Sequence, residues 1–191
     1  MAHVKLNPAL LSMLGQVGNL VFKMRYGSIY ASRRPDSRRR RFTGAQKAMQ
    51  ERFRRATGYG KSVLADPQAR APYDAVARKR GKPVLSLMVA DFLNPPVIDE
   101  IDLGCYDGQA GSIIQIRATD DFEVSCVEVL ICSASGDRIE AGPAARRSRN
   151  SACWVYKATT SVTPGISVRV EATAMDRPGN RASCTKPTQV H

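Results

Sequence analysis

Histidine is nearly missing from this chain: two of 191 residues, His3 and His191, close to the two ends. The interior therefore lacks the commonest general base and the commonest metal ligand. The five cysteines, Cys105, Cys126, Cys132, Cys153 and Cys184, form no CxxC pair, so neither half of a usual zinc ligand set is present. An odd count leaves at least one thiol free or shared between chains, and reduced cysteines in strands are the simpler reading. Gly-x-Ser-x-Gly, the Walker loop and Gly-x-Gly-x-x-Gly are all absent. An enzyme is the weakest expectation, and no cofactor is expected. No apolar run approaches the ~18 residues that a membrane span needs.

Negative charge is scarce in one half only. Residues 1–95 hold 19 Lys and Arg against 5 Asp and Glu, a balance of +14 within a total of +12. Residues 96–191 are close to neutral, at −2. So abrupt a change divides the chain into a basic module, 1–95, and a second module, 96–191.

The densest charge is the run Arg33, Arg34, Arg38, Arg39, Arg40 and Arg41, interrupted by Pro35-Asp36-Ser37. Six guanidiniums this close repel one another unless an anion, salt or water screens them. Pro35 to Ser37 place the run on a loop. A helix follows, since Thr43 and Gln46 stand at capping-box spacing. Ala45, Met49, Phe53 and Ala56 then recur at three- and four-residue steps as one apolar stripe. Lys47, Arg52, Arg54 and Arg55 flank it, with only Glu51 in opposition. These cations form a candidate surface for a polyanion or an acidic partner. A solvated charge run explains the same residues.

Before the tract, Phe22 and Met24 alternate with Lys23 and Arg25, and Tyr26-Gly27-Ser28 makes a turn, so a β-hairpin is expected. A lone hairpin is marginal and must pack on something or pair with another chain. After the tract, Asp66-Pro67 caps a second helix, and Pro72 suggests a fresh start there. Arg78, Lys79, Arg80 and Gly81 close it in the way cations and glycine close helices. Gly58 and Gly60 weaken the middle of the first helix. Pro83 opens a third, VLSLMVADFL, which Asn94-Pro95-Pro96 ends.

From Val97 the pattern becomes short alternating strands: 97–103, 112–118, 124–132, 138–141, 153–159, 166–174 and 181–185. Val127, Val129 and Ile131 face one way and Cys126, Glu128 and Leu130 the other. Turns at Asp107-Gly108, Ser135-Gly136 and Pro164-Gly165 separate them. The fold class expected is α+β: an N-terminal hairpin with helices, then an antiparallel β-sandwich. Asp120, Asp121, Glu123 and Asp176 invite a calcium reading, but they follow no EF-hand spacing, and Asp in a turn more often bonds its own backbone. ARRSRN, residues 145–150, is a second basic loop that could join the first tract or contact a neighbour.

Three resemblances add to this. VRVEATAMDRPGNRASCT resembles the last two strands of bacterial Ig-like and fibronectin-like domains, where A-x-D-x-x-G-N recurs, here Ala174, Asp176, Gly179 and Asn180. It implies an Ig-like sandwich; the chain departs from the antibody pattern in having no cysteine pair flanking a core tryptophan at that spacing, though Trp154 could still be the core aromatic. VGNLVFKMRYG with TGAQKAMQERF resembles the opening of uncharacterised bacterial proteins known only as domains of unknown function, which implies a hairpin and helix but no activity. VLADPQARAPYD is similar to the end of a J domain. The His-Pro-Asp triplet of that family occurs nowhere in the chain, so no chaperone role is carried over.

The function expected is a non-enzymatic structural subunit of a filament, a surface layer or a virus-like particle, self-assembling as a homo-oligomer or larger array. The alternative is a nucleic-acid-binding protein using the arginine tract. MAHVKLNPALLSMLGQVG lacks the sustained apolar core of a signal peptide, so cytoplasmic synthesis is the default, with release into an extracellular or virus-like assembly left open.

Overall fold

A computed structural model describes residues 2–3, 14–25, 28–35, 42–148 and 151–190. In chain order the elements are β1 (Ala2–His3), β2 (Gly15–Val17), β3 (Leu20–Arg25), β4 (Ser28–Arg33), α1 (Gly44–Ala65), α2 (Pro67–Arg80), α3 (Val84–Leu93), β5 (Val97–Asp102), β6 (Ile113–Thr119), β7 (Val124–Ser133), β8 (Arg138–Pro143), β9 (Ala145–Arg146), β10 (Cys153–Lys157), β11 (Ser167–Asp176) and β12 (Arg181–Gln189). The class is α+β, as the periodicities indicate. The chain divides into two compact units, residues 1–47 and 48–191, and the division falls inside α1. The charge step at 95/96 falls elsewhere.

The first unit is an antiparallel sheet in the order β1-β4-β3-β2. The pairs Leu20↔Arg33, Phe22↔Ala31 and Met24↔Ile29 lie across β3 and β4, and Val17 faces Leu20 from β2. Residues opposite one another share a face, so Val17, Leu20, Phe22, Met24, Ile29 and Ala31 make one apolar side. Ile29 alone among them is buried. The turn expected at Tyr26-Gly27 lies outside the described residues.

In the second unit, sheet β5-β6-β10-β9 packs on sheet β12-β11-β7-β8, all antiparallel. The alternation expected of β7 holds: Val127, Val129 and Ile131 are fully buried. They share one core with Ile114, Ile116, Trp154, Val168, Val170 and Ala172. The strands match the expected segments, and β9 is an addition too short to carry a period. All five cysteines carry free thiols.

The capping box forms as spaced: the Thr43 N–H donates to Gln46 Oε1 (3.0 Å), and the Gln46 N–H to Thr43 Oγ1 (3.3 Å). Asp66 caps α2 by accepting from the N–H of Gln68, and Gly81 closes it at φ 61°. Two local expectations are corrected. Pro72 starts no new helix; α2 runs through it, because both ends are capped and Tyr73 and Ala77 are buried beside it. Gly58 and Gly60 do not break α1 either. Gly60 is where α3 approaches, with Leu85 and Met88 over the place a Cβ would occupy.

The helices have a small core of Val63, Tyr73, Ala77, Leu87 and Met88. Phe122, from the loop between β6 and β7, joins it and stacks on Tyr73 with ring centroids 4.2 Å apart. Arg80 donates to the Asp121 carbonyl (3.2 Å), and the Asn94 amide to the Asp121 carboxylate. Helices and sandwich are thus fastened within one compact unit.

Candidate functional site

The cations singled out by charge are exposed wherever the structure describes them. Arg33 and Arg34 end the hairpin and are exposed. Arg38, Arg39, Arg40 and Arg41 lie outside the described residues. Lys47, Arg52, Arg54 and Arg55 are exposed along the first half of α1. Glu51 pairs with Arg54 (2.8 Å) and Arg55 (3.4 Å), and those guanidiniums hold its carboxyl below the usual range. Arg52 instead donates to the Leu93 carbonyl, at the end of α3.

Beside these cations the apolar stripe of α1 is only half used. Ala56 is buried, but Met49 is 60% and Phe53 55% exposed. The reason is length: α3 has ten residues and its apolar side chains pack around Gly60 in the second half of α1, while its end meets the first half through the Arg52 guanidinium. Phe53 therefore stands among Arg52, Arg54 and Arg55 instead of under them.

The second basic loop behaves differently. Arg146 lies over the Trp154 ring at 4.6 Å, reaches Glu123 at 3.7 Å and donates to the Val124 carbonyl. It serves its own sandwich, while Arg147 is exposed.

A polar cluster that charge density does not reveal lies where α3 meets the sandwich. Asp91 sits in the last turn of α3, Asp120 opens the β6–β7 loop, and Asp176 ends β11. One oxygen from each lies within 4.8 Å of the others. Asp91 is fully buried, and Asp176 is 2% exposed. Asp176 reaches this position because the alternation Val168, Val170, Ala172, Ala174 brings it to the core face, where the ladder shifts register after Met175. Its carboxylate accepts from the Asn180 N–H (2.6 Å) and from Asn180 Nδ2 (2.7 Å). The Asn180 amide also reaches the Phe92 carbonyl at 3.1 Å, tying the β11–β12 turn to α3. Asp120 accepts from the N–H groups of Phe122 and Glu123, both at 2.9 Å.

Tyr73 donates to Asp91 Oδ2 and shares a 3.0 Å bond with the Tyr59 hydroxyl. Burial pushes the Asp91 carboxyl up to about 7, against the Tyr73 hydrogen bond, and the charges of Asp120 and Asp176 add to the rise. Burial raises Asp176 too. Burial, and then the bond to Asp91, raise the Tyr73 hydroxyl. Arg177 lies over the Tyr73 ring at 5.7 Å and pairs with Glu123 at 3.2 Å.

Of the four carboxylates that invite a calcium reading, Asp120 and Asp176 come together here. Asp121 holds Asn94 and Glu123 holds Arg177. Asp91 was not singled out by sequence reasoning. Its signal is a lone acid inside the apolar run VLSLMVADFL.

No family model matches the chain, and no curated protein matches it. Among solved structures, CopC from Methylosinus trichosporium OB3b is similar at 14% identity and a TM-score of 0.38, over 49% of this chain and 91% of CopC. An engineered protein is similar at 21% identity and a TM-score of 0.37, over 49% of this chain. The match spans about a fifth of that protein's length, 20%. The description as a β-sandwich rests on the two packed sheets themselves.

Proposed function

We propose that this chain is a non-enzymatic structural subunit that associates with copies of itself through residues 14–55, while the sandwich spaces or decorates the assembly. One observation carries the reading. Of the ten large exposed hydrophobics among the described residues, Leu14, Val17, Leu20, Met24, Phe42, Met49 and Phe53 fall in that stretch, and three fall in the sandwich and its edges. Scattered exposed apolar residues are ordinary, but here Val17, Leu20 and Met24 share one face of a sheet, and Met49 and Phe53 one stripe of α1. The sheet has a single buried side chain, Ile29, among the described residues of its unit. Four short strands with so little core need cover, and a second copy supplies it.

Static light scattering of the full chain across concentration and salt tests this. Molar mass that rises with concentration is expected, and Met24→Lys with Phe53→Lys should lower it. A monomer under all conditions overturns the reading.

The second reading is polyanion binding. Arg33, Arg34 and Lys47 make no ion pair among the described residues, and Glu51 is the one acid paired with the α1 arginines. The two readings hold together if assembly takes place on a polymer.

A further inference from the structure

The carboxylate cluster has more negative charge than its surroundings neutralise. Asp91, Asp120 and Asp176 come from a helix, a loop and a strand end, and converge to within 4.8 Å. Three like charges so placed repel strongly where water is excluded. The nearby cation, Arg177, offsets part of this charge at Asp91 but is shared with Glu123 and the Tyr73 ring. Glu140, the other buried carboxylate among the described residues, also leaves one oxygen, Oε1, without a partner there, but it stands outside this three-acid convergence, and its Oε2 takes three donors: the Thr159 and Thr160 N–H groups and the Thr159 hydroxyl.

Two oxygens of the cluster have no partner at all. Asp91 Oδ1 and Asp120 Oδ1 are buried atoms without a hydrogen bond among the described residues. Asp91 is entirely enclosed, so bulk water does not satisfy it. An orphaned buried carboxylate oxygen is costly unless something positive meets it. The opposite oxygens are meanwhile fixed: Asp91 Oδ2 by Tyr73, Asp120 Oδ2 by two backbone N–H groups. Each of these two carboxylates is held by one oxygen and leaves the other for a ligand, the way outer hydrogen bonds orient metal-binding groups. Asp176 accepts from the Asn180 N–H and side-chain amide, one on each oxygen, and the Gly179 N–H also bears on it, which leaves lone pairs free.

We propose that Asp91, Asp120 and Asp176 bind a hard divalent cation of the calcium type, which bolts α3 to the β6–β7 loop and the end of β11. The donor set is all oxygen, with no imidazole or thiolate, which selects against zinc and copper. Calcium accepts oxygens at about 2.3–2.6 Å, so two ligands on opposite sides stand about 4.6–5.2 Å apart, which spans the observed spread. Magnesium, at about 2.0–2.1 Å, draws its ligands tighter. The remaining coordination positions fall to water or carbonyl oxygens. The role is structural: helices and sandwich meet here, and the ion would fasten all three segments at once.

The test uses the full chain stripped with EDTA and titrated with calcium chloride. A saturable rise in Tm is expected, about 5–10 °C at free calcium a hundredfold above Kd. Asp120→Asn keeps an acceptor for the two loop N–H groups, so it should fold with an unchanged far-ultraviolet spectrum and lose the rise. Terbium should give tyrosine-sensitised emission, because the Tyr73 hydroxyl bonds a ligand, and calcium should quench it by displacement. A Tm unmoved up to about 10 mM calcium, beyond the weak end of known protein sites, overturns the proposal and leaves a proton on Asp91 as the neutralising charge. A full rise in Asp120→Asn overturns the assigned ligands.

Discussion

Replacing Tyr73 by Phe removes one oxygen and keeps the ring. The stack on Phe122 at 4.2 Å survives, and so does the arginine above it. What disappears is the donor to Asp91 Oδ2 and the bond to the Tyr59 hydroxyl. Tyr73 is 1% exposed, so water does not replace it. Losing a hydrogen bond to a buried carboxylate costs about 1.5–3 kcal/mol. For a unit of this size that lowers Tm by about 4–10 °C. Two probes make the result diagnostic. Circular dichroism at 222 nm follows the helices, and the fluorescence of the sole tryptophan, Trp154 in the sandwich core, follows the sheets. If helices and sandwich form one cooperative unit, both transitions coincide and both shift together. Early loss of the helical signal, with the Trp154 transition unmoved, refutes the fastening of helices to sandwich.

Further outcomes follow from the same geometry. In EDTA, the folded Asp91 titrates near 7 and the unfolded one near its ordinary 3.8, facing Asp120, Asp176, Arg177 and Tyr73. Folding therefore takes up a proton between those values, and the stability from this group, complete below 3.8, is lost as pH rises through about 7. Urea midpoints of the wild type should fall relative to Asp91→Asn between pH 4.5 and 7, in the manner linkage requires; parallel profiles would contradict this. Gly58→Ala, which meets nothing within 4 Å, should stabilise α1 by about 0.8–1 kcal/mol in chemical denaturation. Gly108→Ala should cost about 2–5 kcal/mol, because φ is +81° and the new Cβ meets the buried Val190 side chain. If Arg38 to Arg41 grip a polyanion, log K against log salt should slope by about −0.9 per duplex phosphate neutralised, and serine at all four should flatten it. An unchanged slope excludes the tract.

Much of the fold can be read directly from the residues. The period of two in VSCVEVLICS and VRVEATAMD marks β7 and β11, and Thr43/Gln46 and Asp66-Pro67 mark two helix starts. These are local signals, written within a few residues. The carboxylate cluster is not local: Asn180 reaches across 89 residues to Asp91. Asp176 was half legible, since the alternation of β11 puts it on the core face. Asp91 needed the packing of α3 on the sandwich before its burial meant anything. The exposure of Met49 and Phe53 was illegible for a related reason. A helical stripe tells which side of α1 is apolar, but the length of α3 decides how much of that side is covered.

The central claim is that residues 14–55 carry the contacts between copies. Negative-stain electron microscopy of the native material, with and without nuclease, tests it most directly. Ordered particles or filaments that survive nuclease are the expected result. Isolated single subunits in both samples contradict it.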